Sequence, residues 1–170
     1  MVLREAGGKR PVLGDGVYVD ESAVVMGDVQ LSGGASVWPA AVVRADDDRV
    51  EVGKGSAVLD MAFIEAPRGR PVIIGEGCLV SHCARLHGCT LGKSVLVGIG
   101  AIVLDGARVG DEAVVAAGSL VPPGGEVQPR TVVMGVPAKT SRHVGPADLE
   151  TLRSELGTLQ AKAALYAAQK

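Results

Sequence analysis

Two of the three histidines of this chain, His82 and His87, stand close together in V-S-H-C-A-R-L-H-G-C-T-L, residues 80–91. Imidazole is a common ligand of Zn²⁺ and of Fe²⁺ or Co²⁺, and a carboxylate often completes such a set. Two imidazoles and one carboxylate leave a coordination position open for a water of lowered pKa, the starting point of metal-assisted hydration or hydrolysis. Which carboxylate could join the histidines depends on the elements that carry them.

Those elements follow from a repeat. Aliphatic residues recur every six positions at Leu13, Val19, Val25, Leu31, Val37 and Val43. After a slip the register resumes at Val52, Val58 and Ile64, and after another at Ile74, Val80 and Leu86. A five-residue step leads to Leu91, Val97, Val103, Val109, Val115, Val121, Val127 and Val133. A period of six fits neither the helix nor the simple strand and marks a hexapeptide solenoid. Three hexapeptides make one turn of a triangular prism, so the sequence predicts an all-β solenoid over residues 13–139. Glycine often follows the aliphatic residue, as at Gly14, Gly53, Gly75, Gly92, Gly98 and Gly110.

Residues 1–12, with Gly7-Gly8 and Pro11, read as an irregular lead-in. The first slip holds a charged bulge, Arg44 to Arg49, and the second a turn-rich loop, Pro67 to Pro71. After Val133 the segment G-V-P-A-K (135–139) leaves the ladder, because proline cannot donate to it. Pro146 marks a helix start. Leu149, Leu152, Leu156, Leu159 and Ala163 then recur at three and four, which predicts a C-terminal α-helix over 146–170 packed along the prism.

Composition agrees with a narrow aliphatic interior. The 170 residues suit a single unit, and the chain has one Trp, one Phe and two Tyr. Stacked Val, Ile, Leu and Ala fill short coils without aromatics. A net charge of −2 and a pI of about 5.9 argue against nucleic acid as a partner. No apolar run reaches membrane-spanning length, and M-V-L-R-E lacks the apolar core of a signal peptide. Three cysteines, Cys78, Cys83 and Cys89, form no secreted pairing pattern. They point to a reduced, cytoplasmic chain, with Cys83 and Cys89 as small packing residues.

Stacking brings candidate ligands together. Each hexad start points inward, so the next residue points outward. Arg44, Glu65 and His87 then share one face in successive coils, about 4.8 Å apart along the axis. His82 lies on the next face, above Asp60 in the coil below. His87 and Glu65 can share a metal, whereas His82 must come from a second chain if three ligands are to converge. A parallel homotrimer would do this three times, once per interface. The alternative is that the histidines are solvated, Arg44 and Glu65 form a plain ion pair, and no metal is held.

The chain resembles the γ-class carbonic anhydrase family of left-handed β-helix proteins. The matching pieces are G-D-V (27–29), S-V-W-P (36–39), V-V-R-A-D (42–46), H-C-A-R-L-H-G-C (82–89), V-G-I-G-A-I-V-L-D-G-A (97–107), A-A-G-S-L-V-P-P-G (116–124) and G-V-P-A-K (135–139). They cover nearly the whole prism in order. The resemblance implies a left-handed parallel β-helix, a homotrimer, and zinc, iron or cobalt at subunit interfaces. Two of the family's three histidine ligands match His82 and His87; the first falls on Glu65. Its subunit-bridging Arg and Asp match Arg44 and Asp46, and its Asp near the metal matches Asp60. Its Asn and Gln fall on Ala57 and Leu59, and its Tyr before G-x-P-A-K is absent, with Thr131 and Val133 nearby.

The function this implies is reversible hydration of CO₂ to bicarbonate by a metal-held hydroxide. Glu65, His87 and a neighbouring chain's His82 would be the ligands, Asp60 would orient His82 or water, and Asp47 would relay protons. Replacing an imidazole with a carboxylate lowers the charge of the site, so water there is less acidic and activity is reduced. Two other functions stand beside it: a non-catalytic trimeric scaffold or binding protein, and acyl-thioester hydrolysis or acyl transfer on the same fold.

Overall fold

The computed structural model describes residues 2–169; Met1 of the lead-in and Lys170 of the expected helix lie outside them. The chain is a left-handed parallel β-helix of short strands followed by one α-helix. Three inward columns fill its interior. Val25, Val43, Ile64, Leu86, Val103 and Val121 pair in register on one face. Val19, Val37, Val58, Val80, Val97, Val115 and Val133 pair on the second. Leu13, Leu31, Val52, Ile74, Leu91, Val109 and Val127 pair on the third. Nearly all are fully buried, each worth about 1.5–3 kcal/mol of transfer free energy.

The slot two residues before each column residue is narrow and takes Ala23, Ala41, Ala62, Ala84, Ala101 or Ala113. Cys78 and Cys89 occupy the same slot. Burial pushes the Cys78 thiol up to about 11 and the Cys89 thiol up to about 12, so neither is a thiolate near neutrality.

The strands Val24–Leu31 and Val42–Val52 bend round one corner and join two faces into a 12-stranded sheet; the third face is an 8-stranded sheet. The charged segment Arg44 to Arg49 lies inside Val42–Val52 rather than in a loop. Pairing runs from Gly27↔Ala45 directly to Val29↔Val50, so residues 46–49 bulge opposite residue 28.

Two segments differ from the sequence expectation. The lead-in is not irregular throughout: Val2–Arg4 pairs parallel with Val24–Met26, which continues the face below the first hexad. Beyond the last coil, Lys139–His143 returns antiparallel on Thr131–Met134. Its five side chains are all exposed and polar, which covers the final ladder edge without offering an apolar one.

The helix, Pro146–Ala167, lies on the 8-stranded face. Leu152, Leu156 and Ala163 bury against Tyr18, Trp38, Ala57, Leu59 and Leu79. Gly145 caps its start, and the Asp148 carboxylate accepts the Gly145 N–H at 2.8 Å. Arg142 donates to both oxygens of the same carboxylate at 2.6 and 2.8 Å, tying the last strand to the helix. These hydrogen bonds, the Arg142 ones first, lower the Asp148 carboxyl to about 2. A depressed folded pKa stabilises above the unfolded value of about 3.9 and is lost as pH falls through the folded one. Asp148→Ala is therefore expected to speed amide exchange at Gly145 and at residues 147–150 near neutrality, while the parent matches it only below about pH 2. Equal exchange at neutral pH would rule the clamp out.

Candidate functional site

Three strands of one face carry the polar column. Arg44 lies in Val42–Val52, Glu65 ends Phe63–Glu65 and His87 ends Arg85–His87. Their backbones pair Arg44↔Glu65 and Glu65↔His87. Glu65 Oε1 stands 3.3 Å from Arg44 Nη1, and its Oε2 3.9 Å from His87 Nε2. Arg44 also donates through Nε and Nη2 to both oxygens of Asp46, each at 2.8 Å. That bidentate contact raises the guanidinium pKa and holds the Asp46 carboxyl below its usual range. The Arg44–Asp46 pair is thus formed within one chain.

His87 has a second partner that its own neighbours in sequence do not reveal. Its Nδ1 contacts Oδ1 of Asp105, 18 residues later and one coil further along the axis. Leu86 pairs with Val103, so Asp105 stands one coil above Gly88 and reaches His87 diagonally; the ladder register, with its five-residue step, is the signal that could have located it.

His82 follows the strand Leu79–Val80 of the other sheet. Its Nδ1 lies 3.1 Å from Oδ2 of Asp60, in the coil below. The imidazole faces a groove of about 310 Å³ between the prism and the helix. Leu59, Ile99 and Leu159 form its apolar walls, and Ser81, Ser154, Glu155 and Thr158 its polar ones. Ala57 does not reach this space, being buried beneath the helix. The helix contribution to the groove carries no signal in the hexad pattern.

Asp47 sits apart from both histidines. It lines a depression of about 380 Å³ with Asp46, Asp48, Arg68 and Lys9. His143 is exposed on the last strand.

A divalent metal bound by both histidines and Glu65 would need donors from more than one chain. Each histidine has its Nδ1 against an aspartate, the arrangement that orients metal-ligating imidazoles. Glu65 and His87 face one another, whereas His82 lies on the adjacent face. Among the described residues, no three His, Cys, Asp or Glu of a single chain cluster closely enough to hold a metal.

No family model matches the chain. It is 36% identical over 143 residues to the carnitine operon protein CaiE of Escherichia coli, covering 84% of this chain and 73% of that one. It is 38% identical over 140 residues to the mitochondrial gamma carbonic anhydrase 2 of Arabidopsis thaliana, covering 79% of this chain and half of that longer protein. The crystal structure of a hexapeptide transferase family protein from Anaplasma phagocytophilum superposes with a TM-score of 0.92 at 31% identity, covering 97% of this chain and 98% of that one. No helix among the described residues is long and apolar enough to cross a membrane.

Proposed function

The chain belongs to the γ-carbonic-anhydrase-like family of hexapeptide-repeat proteins, and we propose that it is a cytoplasmic homotrimeric metalloenzyme of that type, hydrating CO₂ reversibly to bicarbonate between chains. The observation that carries this is the pairing of His87 with Asp105 and of His82 with Asp60, each through the ring nitrogen Nδ1. Glu65 and His87 of one chain and His82 of the next are the ligands. A divalent cation held there, zinc or else iron or cobalt, supplies the Lewis acidity that makes water a nucleophile near neutral pH. Asp60 orients His82. Arg44 and Asp46, paired within one chain, lie on the face that carries Glu65 and present that pair to the neighbouring chain, and Asp47 takes protons from its bulge to solvent. Leu59 and Ile99 exclude water beside His82.

Protein loaded in turn with zinc, cobalt and anaerobic iron is expected to hold about one metal per chain. CO₂ hydration should exceed the buffer rate, and His82→Ala should abolish both metal retention and hydration. Full occupancy with no hydration by any metal would remove the carbonic anhydrase activity. One contact favours a metal-free scaffold instead: the Arg44–Glu65 ion pair, at 3.3 Å, already satisfies the carboxylate. Elemental analysis showing no metal after loading would support that alternative.

A further inference from the structure

We propose that Asp105 is a positioning residue for His87, holding the proton on Nδ1 so that Nε2 presents its lone pair toward Glu65. This rests on the metalloenzyme function above for its purpose, although the positioning itself is a property of the metal-free chain.

The geometry at the two ring nitrogens is unequal. Nδ1 is in direct contact with Asp105 Oδ1, whereas Nε2 is 3.9 Å from Glu65 Oε2, beyond hydrogen-bond range. A carboxylate accepts and does not donate, so a neutral imidazole here carries its proton on the nitrogen that touches Asp105. Nε2 is then an acceptor directed at a second acceptor, an arrangement completed by a cation between them.

The surrounding backbone is built to keep this contact. Gly88 N–H donates to Glu65 O at 3.1 Å, and Gly106 N–H donates to Gly88 O at 2.7 Å. Glu65, the residue after His87 and the residue after Asp105 thus belong to one hydrogen-bonded ladder. Residue 88 also has to be small. An ideal Cβ there would lie 2.8 Å from Asp105 Oδ1 and 3.0 Å from Arg70 Cβ. The space that a side chain would occupy is filled by the carboxylate that reaches His87. Arg70 passes over the same corner, its Nη1 placed 2.8 Å from where a Gly106 Cβ would be. The charged groups around the imidazole are therefore Asp105 and Glu65 against its nitrogens, with Arg70 and Arg44 outside them.

Nitrogen-15 spectra of the histidine rings in the metal-free protein test this, at about pH 8, above the ordinary imidazole range. His87 is expected with its proton on Nδ1 and a bare Nε2. Asp105→Ala should lose that preference, with the His82 signals unchanged, while Asp105→Asn should keep it through the amide oxygen. Zinc affinity should fall by about 10–100-fold in Asp105→Ala and recover most of that loss in Asp105→Asn. A parent His87 protonated on Nε2, or on both nitrogens, would overturn the proposal, as would an unchanged tautomer in Asp105→Ala. If Asp105→Ala does not fold, the parent and Asp105→Asn spectra decide it. A parent that binds no zinc would end the metalloenzyme function, while the ring signals would still decide the role of Asp105.

Discussion

Glu65→His is expected to bind zinc at least about ten-fold more tightly than the parent chain, within the range by which a single ligand change moves metal affinity. Residue 65 pairs directly with His87, and its carboxylate already lies 3.9 Å from His87 Nε2. An imidazole there keeps the donor and removes a negative charge. The more positive site should ionise water at lower pH, so the hydration profile should move to the acid side. The change also removes the Arg44–Glu65 ion pair, but both side chains are partly exposed, so the stability lost is small. Turnover should rise yet stay limited, because Ala57 is buried under the helix and Leu59 lines the groove, leaving no amides there to orient water. A folded trimer of the variant that takes up no zinc would show that the column through residues 44, 65 and 87 is not a metal site.

That column was legible because the hexad fixes both which residue points inward and which stands one coil away. The same register located the core to the residue, since Val43, Ile64, Leu86 and Val103 stack as the period requires. What escaped obeys other rules. Asp105 lies in L-D-G, which reads as an ordinary turn; it stands one coil above Gly88, and its contact with His87 is a diagonal one that the column of outward residues does not show. The strand Val2–Arg4 precedes Gly7-Gly8 and belongs to no hexad, so only its pairing with residues 24–26 shows it. Lys139–His143 has no apolar alternation because both of its faces meet solvent. The groove at His82 depends on where the helix crosses the prism, which an apolar stripe of leucines does not specify.

Gly75→Ala is expected to destabilise the protein by about 3 kcal/mol or more, at or beyond the upper end for overpacking, because the obstruction is backbone rather than a movable side chain. An ideal Cβ on Gly75 would lie 2.2 Å from Gly92 O, and one on Gly53 2.4 Å from both C and O of Gly75. The glycines that follow the aliphatic residues are thus required by coil-to-coil distance. The hydrogen bonds Gly53 N–H to Ile74 O, at 2.8 Å, and Gly75 N–H to Leu91 O, at 3.0 Å, hold that distance and would have to lengthen. Gly100 supplies the contrast. Its φ is +65°, but nothing lies within 4 Å of its Cβ position. Ala40, Met61 and Cys83 adopt the same left-handed conformation at other corners, with φ of 56°, 59° and 58°. Gly100→Ala should therefore cost only about 1 kcal/mol of conformational strain. Urea unfolding of the two variants separates the causes. Midpoints lowered equally would mean that the close approach of coils is relieved without cost and does not fix glycine at residue 75. A markedly lower midpoint for Gly75→Ala alone would establish the steric requirement.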